Sequence, residues 1–211
     1  MELELTMAMS ISTPIRTMVA ALVVTGATVV GIAQFEDYRG DAYVPVKGDV
    51  PTIGYGSTKG VKLGDRTTPA RALLRLYDEV EGVYANGLKK CITVPLTHYE
   101  FGAFVSLAYS VGVPTVCRKA KPGQPPNLID LINSKQYAAA CERIEAFKYG
   151  PGRKVLPGLV KRRAAERAMC EGKLEGRNEA QTAGDASTLN WIGIKARLAA
   201  KTDHVGRLHA A

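Results

Sequence analysis

From Thr17 to Phe35 the chain runs nineteen residues without a charge, and Arg16 and Glu36 bound the run on either side. At 1.5 Å per residue, a helix of that length would match the hydrocarbon thickness of a bilayer. The stretch is nonetheless only weakly apolar. It opens Thr17-Met18-Val19-Ala20-Ala21-Leu22, carries Thr25, Gly26, Thr28 and Gly31, and is otherwise mostly Ala and Val. A segment of this kind holds a membrane marginally, and Arg16 keeps its N-terminal side in the cytoplasm. Three readings compete. As a cleavable signal peptide its apolar region is long, and cleavage near Ala33 would leave Glu36 almost at the new terminus. A buried core helix of this length is unusual in so small a domain. The adopted reading is an uncleaved anchor that inserts, exports the chain and later leaves the bilayer.

Beyond Phe35 the pattern changes to short extended runs and then to helices. Residues 41–64 are rich in Gly, Pro, Val and Asp, with runs such as Pro51-Thr52-Ile53-Gly54-Tyr55-Gly56, which predicts a small hairpin sheet with tight turns. Thr68 is an N-cap candidate with Pro69 at the first helical position, and the helix it starts is predicted to run towards Lys90. Thr97 and Glu100 have the spacing of a capping box, with Leu96 and Phe101 in the staple positions. Phe101, Phe104, Val105 and Ala108 then follow at helical spacing. A Pro/Gly-rich loop is predicted for 114–126, and further helices for 127–133, 135–147 and about 159–171. The pattern divides the chain into an N-terminal extension (1–16), the apolar segment (17–35), a folded domain (36–176) and a polar tail (177–211) with one short helix expected around Trp191 to Ala200.

Charge and cysteines narrow the partners and the compartment. Of 211 residues 23% are charged, and the net charge of +8 suits an anionic partner: nucleic acid, a membrane surface or an acidic wall polymer. The basic run Arg153-Lys154 with Lys161-Arg162-Arg163 could serve such a partner, although a solvated helix face is the commoner origin of such a run. The four cysteines, Cys91, Cys117, Cys141 and Cys170, form no CxxC pair, which speaks against zinc-ribbon and thioredoxin chemistry. Their even number suits two disulfides in an oxidising compartment, with three connectivities open. No Ser nucleophile elbow, phosphate loop or HExxH zinc motif is present.

The chemistry concentrates just after the apolar segment, in Glu36-Asp37-Tyr38-Arg39-Gly40-Asp41-Ala42-Tyr43 and Lys47-Gly48-Asp49-Val50-Pro51-Thr52. Glycosidic cleavage needs one carboxylic acid to protonate the leaving oxygen. A second carboxylate must activate water or stabilise the oxocarbenium-like transition state from the other side. A Glu near the end of an apolar helix, followed by a Gly-rich hairpin carrying Asp and Thr, offers both groups.

That arrangement resembles the phage-type lysozymes of glycoside hydrolase family 24. Glu36, Arg39, Ala42-Tyr43 and Thr52-Ile53-Gly54-Tyr55-Gly56 match the family's Glu and hairpin. Val94-Pro95-Leu96-Thr97, Phe104-Val105-Ser106-Leu107-Ala108-Tyr109 and Val111-Gly112 look like its central helix. Gly152-Arg153-Lys154-Val155-Leu156-Pro157-Gly158-Leu159-Val160, Arg162-Arg163 and Glu166-Arg167 look like its C-terminal signature. The resemblance implies an α+β, lysozyme-like fold, mostly helical with a small antiparallel hairpin lobe and an N-terminal apolar helix. It implies Glu36 as general acid and Thr52 as the residue that positions water or sugar. The family's aspartate, nine residues after the Glu, is here Pro45, and Asp49 is the best substitute, ahead of Asp41. Tyr43 and Tyr55 are candidate sugar platforms. No metal and no cofactor is implied. The implied activity is muramidase cleavage of peptidoglycan by an endolysin that causes host lysis, acting as a monomer and without nucleic acid. Residues 17–35 would tether it, inactive, to the bacterial inner membrane before release to the periplasm. The rival readings are a catalytically inactive peptidoglycan-binding protein and a membrane-permeabilising basic protein.

Overall fold

A computed structural model describes residues 14–173. Its elements are β1 (Thr17–Met18), a 3-10 turn (Val19–Ala21), α1 (Gly26–Ala33), β2 (Arg39–Tyr43) and β3 (Thr52–Gly54). They continue with α2 (Pro69–Glu79), a π-helical turn (Val80–Ala85), α3 (Asn86–Lys89), β4 (Pro95–Leu96), α4 (His98–Val111) and α5 (Val113–Val116). The C-terminal part holds α6 (Leu128–Asn133), α7 (Tyr137–Arg143) with a 3-10 extension (Ile144–Phe147), and α8 (Pro157–Cys170). The fold is the α+β, lysozyme-like one: a helical lobe around α4 and a small antiparallel hairpin, β2–β3.

Helix α4 is the centre. Every residue from Glu100 to Ala108 is buried, so the helix is covered on all sides, with α1 and α8 packed against it. Its start is fixed by a reciprocal capping box: Thr97 Oγ1 accepts from Glu100 N at 3.1 Å, and Glu100 Oε2 accepts from Thr97 N at 2.8 Å. The core beside it gathers Ile32, Leu76, Leu88, Phe101, Phe104, Leu107, Ile129, Ile132 and Ile144. The helix predicted from Thr68 forms, with Thr68 Oγ1 accepting from Arg71 N, and it reaches Lys89 through the π turn. The predicted 114–126 loop is shorter than expected, because Val113–Val116 closes a helical turn with Pro114 at its start, where a missing N–H costs nothing. The expected tail helix near Trp191 lies outside the described residues.

The apolar N-terminal stretch is not one long helix. Leu22 has extended dihedrals, Thr25 accepts from Thr28 N at 3.3 Å as N-cap, and only the eight residues Gly26–Ala33 are helical. Val19, Val24, Val29 and Ile32 point into the core, while Met18, Val23 and Val30 are exposed. The segment is joined to the rest by polar ties as well. β1 pairs antiparallel with β4, Thr17 opposite Leu96. Arg16 reaches Glu100 with Nε–Oε2 at 3.1 Å and Nη2–Oε1 at 2.6 Å. Glu81, in the π turn, accepts from Val24 N at 2.7 Å and from Lys89 Nζ at 2.9 Å. The core therefore includes residues N-terminal to the predicted domain boundary. Among the described residues no helix is long and apolar enough to cross a membrane.

Two disulfides choose one of the three connectivities: Cys91–Cys117 joins the end of α3 to the end of α5, and Cys141–Cys170 joins α7 to the last residue of α8.

Candidate active site

Glu36 stands three residues after α1 ends and three before β2 begins. Its position depends on how closely α1 approaches α4, and Gly102 permits that approach. A Cβ on Gly102 would lie 2.5 Å from Thr28 Oγ1. From the other side, Arg162 on α8 donates from Nη1 to Glu36 Oε1 at 2.7 Å, and the same guanidinium lies 5.5 Å from the centre of the Phe35 ring. Oε1 is thus occupied, and Oε2 has no hydrogen-bond partner among the described residues.

Both readings of the basic run, a surface for an anionic partner or a solvated helix face, put Arg162 and Arg163 outside; the structure buries both. Helix α8 turns them into the protein because the facing part of α4 supplies a polar partner, Ser106, and α8 itself supplies Glu166. Glu166 is 2% exposed, and burial pushes its carboxyl above the usual carboxylate range against the opposing pull of Arg163 and Ser106. The same burial lowers Arg163 from its ordinary value. Tyr84 and Tyr109 form the remaining wall near Glu36. Their rings lie 5.1 Å apart, and burial, with the Glu36 charge among the further causes, raises both phenols above their ordinary value, so both stay neutral.

The hairpin is pinned beside this seat. β2 and β3 pair with Arg39 opposite Gly54 and Tyr43 opposite Thr52, with a bulge between. On its other edge β2 is joined by 65–67, through Ala42 N to Asp65 O at 3.0 Å and Thr67 N to Gly40 O at 2.8 Å. Gly54 (φ +68°) sits where a Cβ would lie 2.9 Å from Ala72 Cβ, so β3 lies directly on α2. Beyond β3, Tyr109 donates to Tyr55 O at 2.8 Å and Ser57 to Glu79 Oε2 at 2.9 Å.

The hairpin candidates differ in setting. Thr52 is buried, and its Oγ1 donates to Val50 O at 3.2 Å. Asp49 is exposed in the connecting turn, where Oδ1 accepts from Val50 N at 3.0 Å. Both side chains therefore hold the same residue, Val50, from its two sides. Asp41 accepts from Arg66 Nε at 2.8 Å and is committed to that ion pair. Tyr55 packs on Tyr38, ring centres 5.4 Å apart, whereas Tyr43 is exposed with Arg39 over its ring at 5.2 Å. Pro45 lies in the turn between the strands. Among the described residues no group of three or more His, Cys, Asp and Glu could hold a metal ion.

Sequence reasoning placed Arg162, Glu166 and Ser106 in family motifs without a role and missed Tyr84. A signal existed for three of them: a lone Ser inside an otherwise apolar helical run, and an Arg and a Glu four apart on a later helix, each of which needs a partner if buried.

Comparison with known proteins agrees with this architecture. The profile of the family described as phage lysozyme matches residues 33–166. An endolysin of Acyrthosiphon pisum secondary endosymbiont phage 1 is 32% identical over 123 residues, 57% of this chain and 79% of its own length. A SAR-endolysin of Pseudomonas phage phiKMV is 29% identical over 150 residues, 68% of this chain and 86% of its own. Endolysins of Bacillus phages PZA and B103 match over about half of their own lengths, 51% and 50%. Among solved structures, the endolysin of Escherichia coli O157:H7 phage FAHEc1 superposes with a TM-score of 0.63 at 24% identity, over 77% of this chain and all of that one. A P22 lysozyme mutant does so with a TM-score of 0.62 at 21% identity, over 71% and 99%. The profile covers more than half of the chain, and the chain belongs to the phage lysozyme family.

Proposed function

We propose that this chain is a phage endolysin that cleaves the β-1,4 bond between N-acetylmuramic acid and N-acetylglucosamine in bacterial peptidoglycan. The observation that carries the reading is the seat of Glu36: one carboxylate oxygen is fixed by Arg162 and the other has no hydrogen-bond partner among the described residues. In this reading Glu36 Oε2 protonates the leaving glycosidic oxygen, and the sugar develops oxocarbenium character. Asp49 supplies the second carboxylate, with Thr52 positioning the water or the ring. Asp41 is disfavoured for this role by its bond to Arg66. Tyr43 and Tyr55 flank Thr52 in the sequence of the hairpin and are assigned to the sugar. Attack by an Asp49-activated water on the opposite face predicts inversion at the anomeric carbon. The enzyme acts as a monomer in this reading.

The N-terminal segment is assigned two states. Two relatives, from Pseudomonas phage phiKMV and Haemophilus phage HP1, are named SAR-endolysins. Residues 17–35 of this chain would first tether it to the inner membrane and then, released into the periplasm, take the core positions described above. A segment whose Val24, Val29 and Ile32 fill the core cannot span a bilayer at the same time. Deleting residues 17–25 should abolish activity; a truncated protein as active as the full chain would sink the two-state assignment.

The catalytic reading is tested by digesting purified peptidoglycan with the parent protein and with Glu36→Gln and Asp49→Asn, identifying products by mass spectrometry. Reducing-end muramic acid products from the parent and none from Glu36→Gln are expected. Intact glycan strands from the parent itself would favour a wall-binding protein without catalysis.

A further inference from the structure

Behind the Arg162–Glu36 contact lies a set of buried polar groups. Glu166 Oε1 accepts from Ser106 Oγ at 2.8 Å, from Arg162 Nε at 3.2 Å and from Arg163 Nη2 at 3.1 Å, while Oε2 faces Arg163 Nε at 2.9 Å. Arg163 is 1% exposed, among the most buried large side chains of the described core. Stability alone is a poor explanation. Arg162 Nη2, Arg163 Nη1 and Nε, and Glu166 Oε2 are buried without a hydrogen-bond partner among the described residues, and buried ion pairs often stabilise less than apolar residues of similar volume. The connectivity is more informative. Arg162, Arg163 and Glu166 hold two guanidinium groups against one carboxylate, and the further carboxyl that Arg162 reaches is Glu36.

We infer that Glu166 and Ser106 are positioning residues for the catalytic acid: they hold Arg162 in one orientation, and Arg162 holds Glu36. The inference rests on the reading of Glu36 as the acid. Its geometry is specific. Arg162 uses Nε towards Glu166 and Nη1 towards Glu36, so the planar guanidinium spans the two carboxylates and its rotation is fixed at both edges. Ser106 projects from α4 and Glu166 from α8, so the bond between them also sets the relation of the two helices at the level of the acid. The groups that touch Glu166 are Ser106, Arg162 and Arg163. The neighbouring carboxylates of α7 and its 3-10 extension, Glu142 and Glu145, are turned to Arg167 instead.

A pH dependence follows. Glu166 already takes up its proton above the ordinary carboxylate range, mainly because it is buried, and the Ser106 hydrogen bond acts the other way by favouring its charged form. Protonation of Glu166 removes the counter-charge that orients Arg162. Turnover should therefore fall on the acid side as Glu166 is protonated, and loss of the Ser106 hydroxyl should move that fall to higher pH.

The experiment uses the full chain on purified peptidoglycan, with kcat measured against pH for the parent, Ser106→Ala, Arg162→Met and the double variant. Glu166→Gln keeps the shape but leaves two buried arginines without a counter-charge and is at risk of not folding, so Ser106→Ala is the primary probe. For Ser106→Ala the acid limb of kcat should move up by about one pH unit, the equivalent of one hydrogen bond to a charged group. KM should be unchanged, and in the Arg162→Met background the same substitution should have no further effect on kcat. A lower melting temperature with a superimposable kcat–pH profile would overturn the inference, as would an equal loss of kcat in both backgrounds. Glu36→Gln run alongside separates the two levels. An inactive Glu36→Gln with an unmoved Ser106→Ala profile defeats only the positioning inference, whereas an active Glu36→Gln defeats the assignment of the acid itself.

Discussion

The two carboxylates assigned to catalysis sit in opposite surroundings. Glu36 is held from both sides, by α1 packed against α4 and by a guanidinium that is itself anchored to a buried carboxylate. Asp49 lies in an exposed turn whose neighbours Val46 and Val50 are also exposed, and among the described residues its side chain accepts a hydrogen bond only from the next backbone N–H. An acid that must hold a proton at one oxygen has to be fixed at the other, and that demands a rigid seat. A group that activates water can be carried on a turn, provided the turn is shaped locally, and here Asp49 and Thr52 shape it by holding Val50 between them. The difference is that between a site made by tertiary packing and one made by local hydrogen bonds.

The largest effect expected from breaking the packed side is that of Arg162→Met. With Nη1 gone, Glu36 is released from its orientation, and a displacement of about 1 Å is enough to cost about 100-fold in turnover. Removing one partner of a buried pair also destabilises by about 3–5 kcal/mol, although here Arg163 still faces Glu166, which places the loss at the lower end. Turnover on peptidoglycan, normalised to the folded fraction from a urea titration, checks this. Wild-type kcat in the folded variant would mean that the acid is fixed by α1 alone.

This contrast also marks what the sequence made legible. The capping box of α4, the Thr68–Pro69 helix start and the hairpin were readable because each depends on residues within a few positions of one another. Arg162, 126 residues from Glu36, was left between a solvated basic face and an anionic-partner surface, because its spacing to Glu166 tells that the two can pair but not that the pair is buried against Glu36. The disulfide pairing was open for the same reason. The apolar segment was legible as apolar, but its length suggested one helix. Local chemistry breaks it instead: extended Leu22, the Thr25 cap and Gly26 confine α1 to eight residues.

The next largest effect concerns the far end of α8. Cys141–Cys170 closes a separation of 29 residues and ties the last residue of α8 to α7. Replacing both cysteines by Ser should lower stability by about 3 kcal/mol. The loss should be visible as a lower melting temperature, with the parent falling to the same value under reducing conditions once Cys91–Cys117 is also removed from both. If the pair were silent in stability, α8 would be held by its buried polar groups without the crosslink.

Gly102→Ala strikes the α1 side more gently. The added methyl would meet Thr28 Oγ1 at 2.5 Å, inside a core where overpacking costs about 1–3 kcal/mol. The strain should push α1 off α4 and carry Glu36 with it, so turnover should fall along with stability. Thr28→Ala in the same chain removes the clashing oxygen and should restore part of both. A double variant no better than Gly102→Ala would place the strain elsewhere, for example at Met169 Sδ, 3.5 Å from the same point.

The smallest effect should be that of Asp41→Asn, and it is the one that sharpens the reading of the hairpin. Asp41 and Arg66 form an exposed ion pair, and such pairs contribute about 0–1 kcal/mol. The backbone bonds that join β2 to 65–67 remain in the variant, so the strand should keep its place. Near-wild-type stability and turnover are therefore expected, against a severe loss for Asp49→Asn. Both substitutions remove one negative charge from the same hairpin, so a general effect of charge on substrate binding would lower both alike. The reverse order, with Asp41→Asn inactive and Asp49→Asn active, would move the second carboxylate to Asp41 and make Arg66 the residue that orients it.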